Sequence, residues 1–295
     1  MIFVAANPYS GAGPNRRRVD ALAAAVQAAG GIARVVWDPA ERAAALADAV
    51  VMRGCRAVLA AGGDGTVSQV INELPPGVAL GVLPLGNENL LARALGFDGD
   101  PGRLAHAAVE CRTRVVDLGR ARAGGRTRLF TLMLSAGFDA AVVHRVAAWR
   151  ATGGALRRVR RLSYLRPITA ALRRDARTAV RLTAGAATID GAHCVIANVP
   201  AYALNMIPTP GALADDGELD WLVLQRPGAV ALLTYGWAVY RGRHLARRDV
   251  RSGRATHVRV TSEQPTPVQL DGDPWGITPV EVDVVPRALT LLAAR

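Results

Sequence analysis

One stretch constrains this chain more than any other: Val58 to Leu74, VLAAGGDGTVSQVINEL. It opens on small apolar residues, Val58 to Ala61, as the end of a buried strand does. Gly62, Gly63, Asp64, Gly65 and Thr66 follow, and then Val67, Val70, Ile71 and Leu74 fall at i, i+3, i+4 and i+7, one apolar face of a helix. A strand, a glycine turn and a helix in succession aim unpaired backbone N–H groups and the positive end of a helix dipole at an anion. Glycines there also let a phosphate approach without meeting a Cβ. Asp64 would repel a bare phosphate, and is explained if a divalent cation sits between the two. Its simpler reading is the N-cap of a tight strand-to-helix turn.

Composition narrows the chemistry. All 36 basic residues are Arg and there is no Lys. A Walker A loop, the ATP anchor of a protein kinase and Schiff-base catalysis each need a Lys, so these classes are excluded. The net charge of +12 draws the surface to phosphates, anionic lipid or nucleic acid. Cys55, Cys111 and Cys194 are odd in number and far apart, which argues against a disulfide framework or zinc site and suits a reducing cytosol. MIFVAANP enters a strand directly, with no visible signal peptide. The longest apolar run, around Ala229 to Tyr240, is too short to span a bilayer. Any meeting with a membrane is therefore from its surface, and the expected location is cytoplasmic, at the inner membrane face.

The chain divides into two patterns. Over residues 1–115, strands at Ile2–Ala6, Ile32–Trp37, Val58–Ala61 and Val78–Leu83 alternate with helices ending near Ala29, spanning Pro39–Arg53, starting after Gly65, and spanning Glu88–Leu95. This predicts an α/β domain on a parallel sheet, whose ligands bind at the carboxyl ends of the strands. The loops after Ala6, Ala61 and Leu83 all fall at that edge. Residues 116–285 turn to short β runs bounded by turns, RLFTLMLSAG, HCVIANV, ELDWLVLQ and VEVDVV among them, predicting a mainly antiparallel domain with a helical insert at about 139–175. Residues 286–295 are a candidate to pack back on the first domain.

Together these segments resemble the diacylglycerol kinase catalytic family, which includes bacterial lipid kinases and sphingoid and ceramide kinases. NPYSG (Asn7–Gly11), GGDGTVSQVINEL, LPLGNENLLARAL (Leu83–Leu95), SAGFDA (Ser135–Ala140), DDGELD (Asp215–Asp220) and QLDGD (Gln269–Asp273) match its six motifs in order. GGDG alone is shared with NAD kinases and phosphofructokinases. The resemblance implies an NAD-kinase- and phosphofructokinase-like first domain, a C-terminal β-sandwich, and ATP with Mg²⁺ between them. It implies that Asn7, Ser10, Gly11, Gly62, Gly63, Asp64, Gly65, Thr66, Gly86, Asn87 and Asn89 hold the nucleotide, with Asp64 close to its metal. Asp216, with the carbonyls of Leu213 and Glu218, would bind a structural magnesium. Asp273 would be the general base for a lipid hydroxyl and Asp271 would support the metal and water network. A hairpin needing no metal explains DDGE equally well, and DG between β runs is itself a hairpin signal.

Four positions depart from the family pattern. Asp273 stands where Glu is usual, so the base reaches its proton through water or more slowly. Asn87 replaces a Thr and alters the reach of that hydrogen bond. Trp37 replaces a second Thr; it can stack on adenine but lacks the hydroxyl. YALNM (Tyr202–Met206) replaces a glycine-rich stretch.

The insert holds eleven Arg between Arg145 and Arg181, interleaved with apolar residues. Such a segment suits an anionic bilayer, and equally a solvated helix packed on the β domain; no reading motif points to nucleic acid. The expected activity is phosphoryl transfer from ATP to diacylglycerol or a similar lipid, in phospholipid biosynthesis. A kinase of a soluble acceptor and a non-catalytic nucleotide- or lipid-binding regulator remain alternatives, and a homodimer stays open.

Overall fold

A computed structural model describes residues 1–8, 10, 15–152, 165–174 and 178–293. The chain packs as two units, Met1–Asp117 with Pro286–Arg295, and Leu118–Val285.

The first unit alternates β1 (Ile2–Ala6), α1 (Asn15–Ala28), β2 (Ala33–Val36), α2 (Pro39–Arg53), β3 (Ala57–Gly62), α3 (Asp64–Glu73), β4 (Ala79–Pro84), α4 (Leu90–Ala94) and α5 (Pro101–Glu110). Its strands lie in the order β2-β1-β3-β4 and pair in parallel. β1 and β3 are buried along their whole length, which is why they read as unbroken apolar runs rather than as alternation. Ala6 is in register with Ala61, and Gly62 with Pro84. The loops after β1, β3 and β4 therefore leave side by side from one edge.

Two helices differ from the periodic reading. α3 buries Val67, Val70 and Ile71 as expected, but Leu74 is only half-buried and caps the helix in an extended conformation. Pro75 follows, and the residue before a proline is driven out of the α region. α4 starts at Leu90 rather than Glu88 because Asn89 sits in the left-handed region, at φ 48°.

The second unit comprises most of β5 (Thr113–Ala123), then β6 (Arg126–Phe130), β7 (Met133–Gly137), α6 (Phe138–Thr152), α7 (Leu165–Arg174), β8 (Val180–Ala184), β9 (Ala187–Gly191), β10 (His193–Ala197), β11 (Leu219–Leu224), α8 (Ala229–Tyr240), β12 (Val250–Ala255), β13 (His257–Thr261), β14 (Pro267–Leu270), β15 (Asp273–Ile277) and the first part of β16 (Val280–Leu292). The far end of β16 belongs to the first unit, where Leu291 pairs in parallel with Leu80.

One antiparallel sheet of the second unit runs β12-β11-β10-β7-β14-β15; the other carries β16, β13, β8 and β9. Leu134, Ile196 and Trp221 from the first share a core with Leu182, Val258, Val260 and Val282 from the second, which makes a β-sandwich. β8 and β13 alternate buried with exposed residues, as half-buried strands do. The run RLFTLMLSAG forms two strands, not one, broken at Thr131 and Leu132. α7 places Ile168 and Ala171 against Ala141, Val142 and Val146 of α6. Among the described residues, no helix is long and apolar enough to cross a membrane.

Candidate active site

At the edge of the first unit's sheet, three loops are tied by short polar contacts. The Asn7 amide donates to Thr66 Oγ1 at 2.9 Å, and the Gly63 N–H donates to Ser10 Oγ at 3.2 Å. Thr66 is buried and needs its glycines: a Cβ on Gly62 would come within 2.5 Å of the Thr66 side chain. Gly63 is the N-cap of α3, in an extended conformation. Asp64 is the first helical residue, and its carboxylate serves the neighbouring helix by accepting the Leu91 N–H at 2.8 Å. The next loop lies directly on this turn, since a Cβ on Gly86 would meet Gly63 Cα at 2.6 Å. Asn89 closes that loop by accepting the Gly86 N–H at 2.8 Å and donating to the Gly86 carbonyl at 2.9 Å. Gly65 and Asn87 are exposed, and a Cβ on Gly65 would meet nothing within 4 Å.

The structure thus brings Asn7, Ser10, Gly62, Gly63, Asp64, Gly65, Thr66, Gly86, Asn87 and Asn89 together on adjacent loops; Gly11 lies outside the described residues. The donor set suits a polyphosphate: a helix start whose first turn is open at Gly65, with backbone turns no side chain obstructs. Arg18 of α1 adds a cation at the same edge, donating to the Pro84 carbonyl at 2.9 Å and to Gly99 at 3.2 Å. Trp37 has a partner within the unit, the Arg16 guanidinium 5.2 Å from its ring centre.

In the second unit, Asp271 and Gly272 form the two-residue turn between β14 and β15, at φ 50° and 87°. Positive φ at both positions is the type I′ requirement that the DG pair signals. The Asp271 carboxylate is buried and accepts the N–H groups of Thr131, Leu132 and Met133 at 2.8, 2.8 and 3.0 Å. Three consecutive N–H groups turned to one carboxylate cannot also serve a strand ladder, which accounts for the break between β6 and β7. Burial pushes the Asp271 carboxyl up to about 6, against the pull of these N–H groups and of Arg128. Gln269 braces the same turn by accepting the Gly272 N–H at 2.8 Å. Asp273, the first residue of β15, is partly exposed and ion-paired to Arg128 at 2.9 Å.

SAGFDA lies beneath this hairpin. Ser135 donates to Asp139 at 2.7 Å, and the Gln269 amide reaches Ser135 at 2.9 Å and Asp139 at 3.3 Å. Burial, then the Asp139 charge, holds the Tyr202 hydroxyl well above its usual range. One of the departures from the family pattern therefore lands against one of its motifs.

The DDGELD turn carries a guanidinium beside its carboxylates. Arg254 sits opposite Asp220 in the β11–β12 register. Its guanidinium contacts Asp216, reaches Glu218 at 3.2 Å and approaches Asp220 at 3.7 Å. Asp216 also accepts the Glu218 N–H at 3.1 Å. A magnesium held by Asp216 with the Leu213 and Glu218 carbonyls would have to share this carboxylate with a guanidinium. Among the described residues no group of three or more His, Cys, Asp or Glu is arranged to hold a metal; a site of one carboxylate with two main-chain carbonyls is of a different make.

In the basic insert, Arg145 and Arg150 lie on α6 and Arg166 and Arg173 on α7, while Arg181 pairs with Asp190 at 2.7 Å. Arg157, Arg158, Arg160, Arg161 and Arg177 lie outside the described residues. Ile168 and Ala171 of α7 pack on α6.

Sequence reasoning passed over Asn15, Arg128 and Arg254. Asn15 is buried and donates to the carbonyls of Asn7 and Ser10, shaping the first loop. A polar residue at the start of a helix was its only local signal. Arg128 and Arg254 find partners 145 and 38 residues away, where no spacing rule reaches.

Comparison with known proteins agrees with this architecture. Residues 1–121 match the diacylglycerol kinase catalytic domain, and residues 132–293 match the YegS C-terminal NAD kinase beta sandwich-like domain. The chain is 30% identical to a diacylglycerol kinase of Mycobacterium tuberculosis over 98% of its own length and 94% of the other. It is 25% identical to a diacylglycerol kinase of Bacillus subtilis, covering 76% and 73%. A crystal structure of a diacylglycerol kinase from Bacillus anthracis superposes with a TM-score of 0.69 over 99% of this chain and 96% of that one, at 15% identity, a likeness of fold. With glycine-loop edge, sandwich and hairpin all in place, the chain belongs to the diacylglycerol kinase catalytic family of lipid kinases.

Proposed function

We propose that this protein transfers the γ-phosphate of ATP, as its Mg²⁺ complex, to a hydroxyl of diacylglycerol or a closely similar lipid, as a step in phospholipid synthesis. The observation that carries this reading is the convergence of the Asn7–Ser10, Gly62–Thr66 and Gly86–Asn89 loops at one sheet edge, cross-linked by the Asn7–Thr66 and Ser10–Gly63 bonds. ATP with Mg²⁺ supplies the transferable phosphoryl group and its charge neutralisation when bound.

The chain's own residues do the rest. The loops from Asn7 to Ser10 and from Gly62 to Thr66 hold the phosphates with main-chain and hydroxyl groups, and Arg18 adds positive charge beside them. Asp64 fixes α4 against the glycine turn. Asp273 accepts the proton of the lipid hydroxyl directly or through one water, with Arg128 orienting its carboxylate. Asp271 acts as a positioning residue: its three N–H bonds hold the turn that presents Asp273. The Arg-rich insert accords with attachment to an anionic membrane surface, where the acceptor resides.

The test is transfer of radiolabelled γ-phosphate from ATP–Mg²⁺ into diacylglycerol, ceramide and monoacylglycerol in anionic mixed micelles. Wild type would be compared with Asp64→Ala and Asp273→Ala. Label in one lipid, lost in both variants, is expected. Label surviving Asp273→Ala would remove that residue as the base, and ATP binding without transfer to any acceptor would favour a regulator.

A further inference from the structure

α8 is apolar on both sides. Leu232 and Tyr235 face inward and are buried, while Val230, Leu233, Trp237 and Tyr240 are 76, 60, 64 and 66% exposed. Their spacing of three, four and three residues puts all four on one stripe. A helix apolar all round belongs in a core or against lipid, and the outer side of this one faces solvent. It does not resemble a scatter of single exposed residues, because the four are contiguous along three turns.

The surroundings say what covers it. Residues 226–248 contain five Arg, Arg226, Arg241, Arg243, Arg247 and Arg248, and no Asp or Glu. Arg247 is engaged by Asp249 at 2.9 Å and stacks on Tyr235, and Arg226 lies 3.9 Å from the same carboxylate; Arg241, Arg243 and Arg248 follow the helix and are exposed. The Trp237 and Tyr240 rings stack at 5.8 Å, with the Arg241 guanidinium 5.8 Å above Trp237. Aromatic rings beside guanidinium groups at the end of an apolar helix face are suited to the headgroup level of a bilayer, where rings lie at the boundary and cations meet phosphates. A complementary protein surface would have to be both apolar and acidic; an anionic bilayer is both by nature.

We propose that α8 is the membrane-docking element of this protein. It lies in the plane of an anionic leaflet, with Val230, Leu233, Trp237 and Tyr240 in the acyl boundary and Arg241, Arg243 and Arg248 on lipid phosphates. α7, which contacts α8, carries the exposed Arg166 and Arg173 and adds to the basic rim. The inference rests on the lipid-kinase reading for its purpose, and the test separates the two.

The full-length protein would be sedimented with vesicles of phosphatidylglycerol and phosphatidylcholine in equal parts, beside vesicles of phosphatidylcholine alone. Wild type should bind the anionic vesicles and lose affinity on added salt, by roughly fivefold for each cation engaged. Leu233→Gln with Trp237→Gln should weaken binding at least tenfold, and Arg241→Glu with Arg243→Glu should weaken it comparably. All four sites are exposed, and an unchanged thermal melt would confirm that the variants fold. Phosphorylation of a short-chain diacylglycerol dissolved as monomer should be unaffected in both variants, while vesicle-borne diacylglycerol is phosphorylated slowly. Wild type that ignores anionic vesicles, or variants that bind as wild type does, would overturn the proposal. So would a dimer that these variants convert to monomer with vesicle binding intact, since α8 would then be covered by a second copy. If vesicle binding behaves as expected and no lipid is phosphorylated, docking stands and the kinase reading fails.

Discussion

Replacing Asp271 with Ala removes a buried carboxylate and leaves the N–H groups of Thr131, Leu132 and Met133 without their acceptor. An unsatisfied buried donor costs roughly 1–3 kcal/mol. Three such costs do not add in full, because water enters the vacated space, and we expect a loss of about 3–5 kcal/mol. Against a domain stability on the order of 5–15 kcal/mol, that is a large fraction. Thermal unfolding of the second unit should move down by roughly 8–15 °C. Because the chain has two units, the whole-protein melt is not a safe reading; hydrogen exchange at the three amides, beside a control strand in the first unit, reports the site directly. Asp271→Asn keeps one acceptor and tolerates positive φ, so it should fall between. Exchange at residues 131–133 unchanged in Asp271→Ala, or a loss under about 1 kcal/mol, would refute the view that this carboxylate holds the hairpin.

Three further outcomes follow from the geometry. Burial raises the Asp271 pKa to about 6 from an unfolded value of about 3.9, so its contribution to stability is fully present below the lower value and lost as pH rises through the higher one; in chemical denaturation the gap between wild type and Asp271→Asn should widen as pH falls from 7 to 4, and a gap that narrows would mean that the N–H groups outweigh burial. Gly86→Ala drives a Cβ to 2.6 Å from Gly63 Cα and separates the two loops, so ATP affinity by calorimetry should drop at least tenfold, and unchanged affinity would remove the loop contact from the binding site. Removing divalent ions with EDTA should leave the wild-type melt of the second unit unmoved, whereas Arg254→Ala, with Asp216, Glu218 and Asp220 uncompensated, should gain thermal stability when Mg²⁺ or Ca²⁺ is added; an EDTA-sensitive wild type would restore the magnesium site.

Local rules made much of this legible. Unbroken apolar runs identified β1 and β3 as buried parallel strands, because burial acts residue by residue on the pattern. The type I′ turn was readable in Asp271-Gly272, since positive φ at two successive positions selects residue types. What that turn captures was not: the N–H groups of Thr131 to Met133 lie some 140 residues earlier, and their capture is what divides RLFTLMLSAG into β6 and β7. Leu74 kept its helical spacing but lost the last turn to Pro75. The apolar run at Ala229–Tyr240 was visible at once, yet periodicity cannot tell an apolar face turned to a core from one turned to solvent. Only the packed fold shows that α8 has one of each.

Arg254 has a consequence for the kinetics of metal activation. A loop organised by a bound ion adds its own saturation step to the activity, so a magnesium titration bends twice, once as the loop fills and once as the nucleotide complex forms. Here the positive charge at the loop is covalently part of the chain and is present at any ion concentration. Under the proposed activity, the magnesium dependence of turnover should reduce to a single hyperbola set by the nucleotide complex. Preincubation with chelator followed by return of the ion should then restore full rate without a lag.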